Sequence, residues 1–215
     1  MGNRVYNFNA GPSAMPLPVL EEIQQEFLDF NHTGMSIVEI SHRSDAYQKM
    51  QDETIALLRK LLNIPDEYGI TFMQGGGSMQ FLMHGANFLK HCGGYINTGV
   101  WSKKAKEGAA FYGDVYDVAT SEGEGFRRIP GPEEFDLLPD TDYVYLTSNN
   151  TIHGTQWQAF PHFDLPLICD MSSDFLSRPV DVKNFDFIYA GIQKNVGPAG
   201  AVIGIAKHSY LETAR

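Results

Sequence analysis

Apolar residues are spaced along this chain in two ways, and the change between them falls near Pro65. In residues 17–31 the positions Leu20, Ile23, Phe27 and Phe30 follow three-four-three spacing, and in residues 45–63 Tyr47, Met50, Thr54, Leu57 and Leu61 do likewise. Such spacing collects the apolar side chains on one side of a helix, so both segments are predicted to be amphipathic helices with one buried stripe. Beyond Pro65 short apolar runs alternate with helical ones: strand 70–73, helix 78–90, strand 94–97, helix 101–111 and strand 114–119. A connection rich in glycine, proline and acids follows at 122–142, after which strands resume near 143–147, 165–170, 185–190 and 201–206. The alternation predicts an α/β fold, a mostly parallel sheet between layers of helix. The last two strands lie about ten residues apart, fewer than a parallel crossover needs, so this pair is predicted to run antiparallel. Residues 1–16, with scattered Asn, Gly and Pro, read as an extended arm, which leaves 17–215 as one large domain.

Composition narrows the class. The 215 residues are 43% hydrophobic, enough to bury a substantial core and too many for a disordered chain. A net charge of −10 disfavours nucleic acid, because the one tight basic group, Lys103, Lys104 and Lys106, reads as a solvated helix face. Cys92 and Cys169 are far apart, and Cys169 sits inside an apolar strand, as a reduced cysteine does. No apolar run approaches the roughly 18 residues that span a bilayer, and the polar N-terminus carries no signal-like core. A cytoplasmic location is the expectation.

Chemistry gathers at the predicted strand ends. The apolar strand 185–190 empties into Gly191-Ile192-Gln193-Lys194-Asn195, which places one lysine at the mouth of the sheet. There an amine loses solvation and attacks a carbonyl as a neutral nucleophile, the way Schiff-base lysines work. Strand 165–170 ends on Asp170. A lysine for an aldehyde and a fixed anion for a ring nitrogen together suggest pyridoxal phosphate. That cofactor needs a phosphate cradle, and Gly75-Gly76-Gly77-Ser78, between a strand and a helix, offers free N–H groups at a positive helix end. Taken alone, the triplet reads first as a plain tight turn, since glycine is the default wherever φ is positive. Trp101 opens a helix after strand 94–97 and reads either as a stacking partner for a flat ring or as an ordinary core tryptophan. Thr151 reads as a donor to the cofactor or as a hydroxyl closing its own turn. In Ser41-His42-Arg43, the guanidinium fork of Arg43 suits a substrate anion or a surface ion pair. The remaining histidines lack metal-ligand spacing, so no metal site is expected.

These residues also carry a likeness. The sequence resembles the phosphoserine aminotransferase family, pyridoxal-phosphate enzymes of fold type I, through Phe8-Asn9-Ala10-Gly11-Pro12, Ser41-His42-Arg43, Gly75-Gly76-Gly77, Asn149-x-Thr151-Ile152-x-Gly154 and Asp170-x-Ser172-Ser173. The most specific motif is Ser177-Arg178-Pro179 followed by Tyr189-Ala190-Gly191-x-Gln193-Lys194-Asn195-x-Gly197-Pro198-Ala199-Gly200. The resemblance implies Lys194 as the Schiff-base lysine, Asp170 on the pyridinium nitrogen and Trp101 stacked on the ring. It further implies Gly77, Ser78, Thr151 and Gln193 as cofactor contacts, and Arg43, with His42, as the carboxylate site. The implied reaction passes the amino group of L-glutamate to 3-phosphohydroxypyruvate in a homodimer; the alternatives are another fold-type I aminotransferase or desulfurase, or a fragment that only binds or assembles. Some relatives carry arginine where this chain has Ser78, and the family continues past residue 215 into a small C-terminal domain, so the expectation is an N-terminal piece of a nicked or split enzyme.

Overall fold

The computed structural model describes residues 4–215. Two helices, α1 (Leu17–Glu26) and α2 (Asp45–Leu62), precede an alternating series: β1 (Tyr68–Gln74), α3 (Gly76–Phe88), β2 (Cys92–Asn97), α4 (Val100–Ala109) and β3 (Asp114–Thr120). Then come β4 (Thr141–Thr147), a small hairpin of β5 (Asn149–Asn150) and β6 (Thr155–Gln156), β7 (Leu167–Asp170), β8 (Phe187–Gly191), β9 (Ala201–Lys207) and a short α5 (His208–Leu211). Seven strands form one sheet in the order β1-β9-β8-β7-β4-β2-β3. Strands β8, β7, β4, β2 and β3 are parallel neighbours, whereas β9 is antiparallel to both β8 and β1. The antiparallel final pair matches the expectation from loop length. The pairing of β9 with β1, separated by most of the chain, carries no local signal. Because both flanking pairs reverse direction, β1 points the same way as the parallel five.

Period-two alternation along the strands divides the core between the two faces of the sheet. Tyr143, Tyr145, Ile168 and Tyr189 pack with Phe81 of α3 and Ala105 and Ala109 of α4. The intervening residues Val144, Leu146, Cys169 and Ile188 pack with Leu58 and Leu62 of α2 on the other face. Helices α3 and α4 cross closely through glycines: a Cβ on Gly85 would stand 2.9 Å from the Ala109 Cα, and one on Gly108 2.9 Å from the Phe81 Cβ.

The N-terminal region departs from its pattern. Helix α1 ends at Glu26 rather than near 31, and the chain then bends through left-handed Asn31 and His32, with φ of 50° and 59°. Of the predicted stripe only Phe30 is buried, and Ile23 and Phe27 are exposed, because no described element packs over α1. Helix α2 has the predicted extent, with the Ser44 hydroxyl accepting from Tyr47 N at its start and the chain turning left-handed at Asn63. Its stripe is rotated by one residue: Leu58 and Leu62 are buried while Leu57 and Leu61 are exposed. The sheet, not the heptad-like spacing, selects which side of this apolar-rich helix faces inward. Among the described residues no helix is long and apolar enough to cross a membrane.

Candidate active site

The strands that share a direction end on one edge of the sheet, and the segments leaving them converge there, as ligand sites in open α/β sheets do. Register sets the level: Thr147 at the end of β4 pairs with Asp170 at the end of β7, and Asp170 pairs with Tyr189 of β8. Above them lies a cavity lined by Gly77, Ser78, Trp101, Thr151, Asp170 and Lys194, with Gln193, Phe81, Thr147, Asn149, Ser172 and Ser173 completing it. Seven of the predicted site residues therefore share one cavity. His42 and Arg43 do not line it; both are exposed on the turn before α2.

Lys194 reaches the cavity from the turn after β8, and its Nζ donates to the Thr151 hydroxyl. The ammonium position is 5.8 Å from the centre of the Trp101 ring. Burial pushes the lysine pKa down, against the pull of the Asp170 and Asp174 carboxylates. A larger neutral fraction of amine follows, which is the form that attacks carbonyls and accepts protons.

Asp170 is buried beneath the cavity. Its Oδ1 accepts from the Ser172 amide at 2.8 Å and the Ser172 hydroxyl at 2.6 Å, which leaves Oδ2 for a donor entering the cavity. Burial pushes the carboxyl pKa up; the two Ser172 donors, then Lys194 and Tyr189, oppose this. A cationic N–H in the cavity would tip that balance towards the carboxylate.

The cradle is the start of α3, two residues earlier than the pattern predicted. Gly75 caps the helix in a left-handed conformation, φ 95°, without a side-chain cap. The N–H groups of the first turn thus have no partner inside the helix, and Gly77 and Ser78 of that turn line the cavity. Free N–H groups and a positive helix end suit a phosphate.

Trp101 and Thr151 are held by one polar network. The Ser102 hydroxyl accepts from Thr98 N at 2.9 Å and Gly99 N at 3.0 Å, fixing the turn into α4 that carries Trp101. Asn150 Nδ2 donates to the Thr98 hydroxyl at 2.8 Å, tying that turn to the β5–β6 hairpin whose loop carries Thr151. The hairpin base is anchored in turn by Ser148 and by Gln156, 3.0 Å from Asp174. The Trp101 indole Nε1 is buried without a partner. An amine, a buried carboxylate, an aromatic wall and an anion cradle fit pyridoxal phosphate as a donor set.

Phe81 and Asn149 were given no role by the motifs. Phe81 lies three residues after Ser78, a spacing that shares one helix face and was the available signal. Asn149 of β5 bonds Ser173 through Nδ2 at 2.8 Å, a contact with the turn after β7 that no local pattern encodes. Among the described residues no three His, Cys, Asp or Glu side chains converge as a metal site requires.

Comparison with known proteins places this geometry. The family described as aminotransferase class-V matches residues 5–215. The phosphoserine aminotransferase of Lysinibacillus sphaericus (strain C3-41) is 47% identical over 217 residues, covering 100% of this chain and 60% of that protein. The solved phosphoserine aminotransferase of Bacillus circulans subsp. alkalophilus superposes with a TM-score of 0.95 at 46% identity, covering 99% of this chain and 60% of that one. A PLP-bound phosphoserine aminotransferase from Trichomonas vaginalis superposes with a TM-score of 0.92 at 38% identity, covering 97% of this chain and 63% of that one. The chain thus spans about three fifths of the length of these relatives. With its strand ends, lysine turn and glycine cradle all inside the matched region, this chain belongs to the class-V aminotransferase family.

Proposed function

We propose that this chain is the cofactor-binding part of a phosphoserine aminotransferase, which transfers the amino group of L-glutamate to 3-phosphohydroxypyruvate for serine biosynthesis. The observation that carries the reading is the meeting of Lys194, Asp170, Trp101 and the α3 N-terminus around one cavity. Pyridoxal phosphate, when bound, supplies an aldehyde for amines and a ring that withdraws the electron pair left at an amino-acid α-carbon. Lys194 would hold the aldehyde carbon through Nζ, the aldehyde oxygen leaving as water. When freed, its Nζ removes the α-proton of the amino donor and later returns a proton to the α-carbon of the keto-acid acceptor. Thr151 holds that nitrogen in place through its hydroxyl. Asp170 would present a fixed anion to the ring N–H, Trp101 would shield one ring face from water, and the α3 N-terminus at Gly77 and Ser78 would hold the phosphate. Gln193, adjoining the lysine, lines the same cavity and would contact the cofactor.

His42 and Arg43 are assigned the substrate carboxylate. Both lie exposed on the turn before α2, outside the cavity, so the assignment rests on the motif alone. The reading divides the chain into an arm, 1–16, and a cofactor-binding domain, 17–215, within a cytoplasmic homodimer. Borohydride reduction of the cofactor-loaded full-length protein, followed by peptide mapping, is expected to find the pyridoxyl mass on the peptide containing Lys194. A label on any other lysine overturns the assignment.

A further inference from the structure

Ser172 stands where three parts of the cavity meet. Its hydroxyl donates to Asp170 Oδ1 at 2.6 Å and accepts the Gly191 N–H at 2.9 Å, so its one proton and a lone pair are both committed. Gly191 closes β8, directly before the turn that carries Lys194. On the third side, a Cβ at Gly77 would come within 3.0 Å of the Ser172 oxygen, so the first turn of α3 rests against it with no room for a side chain. One oxygen thus touches the anion, the approach to the lysine and the cradle.

We propose that Ser172 is a positioning residue that fixes the Asp170 carboxylate against the lysine strand and sets the spacing between anion, amine and phosphate cradle. The proposal rests on the reading of Asp170 as the ring's anion. The groups facing that carboxyl are Tyr189 on β8, Tyr145 on β4, Lys194 on the turn after β8 and Cys169 beside it on β7. Tyr145 and Tyr189 are bonded to each other at 2.7 Å, which uses one of their two protons, and Tyr189 acts on the carboxylate more weakly than the two Ser172 donors do. Removing the hydroxyl leaves the buried carboxyl with the Ser172 amide, Lys194 and Tyr189, having lost its largest stabilising donor, and leaves the Gly191 N–H without that acceptor. Both changes act on Asp170 and on the lysine turn together.

The test uses the full-length protein with carboxyl-labelled aspartate, titrated by carbon NMR without cofactor, and separately the pH profile of transamination in the loaded enzyme. Ser172→Ala is expected to move the Asp170 titration to higher pH and to lower the rate on the acid side about tenfold, the size of a lost hydrogen bond to a charged group. Ser172→Thr, which keeps the hydroxyl, is expected to restore both. Ser172→Cys, of similar size but a weak donor, carries the same comparison should the alanine variant not fold. An unmoved Asp170 titration in the Ala or Cys variant overturns the proposal, even where melting temperature or activity falls. Because the NMR arm needs neither cofactor nor substrate, it decides the role of Ser172 even if the wild-type protein proves to catalyse a different reaction.

Discussion

Ile168 on β7 and Ile23 on α1 sit in equally regular apolar patterns, yet Ile168 is fully buried and Ile23 is 47% exposed. The two regions around them differ in the same way. Around Ile168 the strands pair on both sides, both sheet faces are covered, and the polar groups at the strand ends are tied into networks through Ser102, Ser148 and Ser172. Around Ile23 the apolar face of α1 has no cover from the described residues, and Phe27 and Leu28 beside it are exposed as well. The arm preceding α1 does make one firm attachment: Ser13 N donates to Gln193 O at 2.9 Å and its hydroxyl to Lys194 O. A regular stripe thus states that a face can be buried, whereas burial itself requires a second surface of matching shape.

The comparison can be broken by mutation in the protein that carries this chain. Ile168→Ala removes side-chain volume from a closed core and is expected to cost about 2–5 kcal/mol in denaturant unfolding. A loss below about 1 kcal/mol would mean that the sheet centre is looser than its burial implies.

His84 probes the same region through pH. It is buried in an aromatic cage with Phe88, Phe187 and Tyr210, and burial pushes its pKa down to about 3. The unfolded chain binds a proton near pH 6.5 that the folded chain refuses, so stability is full above that value and falls as pH drops towards 3. The expected slope is on the order of 1.4 kcal/mol per pH unit inside the window. His84→Leu should flatten the slope in unfolding measured at stepped pH, and an unchanged slope would place the acid sensitivity elsewhere.

Ile23→Ala is the smallest expected effect, within about 0.5 kcal/mol, as for a surface position. A loss approaching that of Ile168→Ala would show that the α1 face is covered in the whole protein, and would erase the contrast.

Features held by local interactions are legible in the chain itself. Strand β7 with its terminal Asp170, the glycine turn before α3 and the lysine turn after β8 each announce themselves within a few residues. The antiparallel β8–β9 pair followed from a ten-residue loop. What escaped depends on partners distant in the chain. The rotated stripe of α2 is chosen by the sheet it packs on, and the place of β9 beside β1 by pairing across more than a hundred residues. The meeting of Ser172 with its partners is of the same kind, since these close two different strands, β7 and β8.

Amino-acid order alone indicated the larger helices and strands, the antiparallel final pair and the inventory of reactive groups, because periodicity, turn chemistry and loop length act over short stretches of backbone. Three-dimensional packing alone decided that Lys194, Asp170, Trp101 and the α3 cradle share one cavity while Arg43 and the α1 face stay open. The physical reason is that desolvation, strand register and hydrogen bonds between loops exist only after remote segments have been brought together.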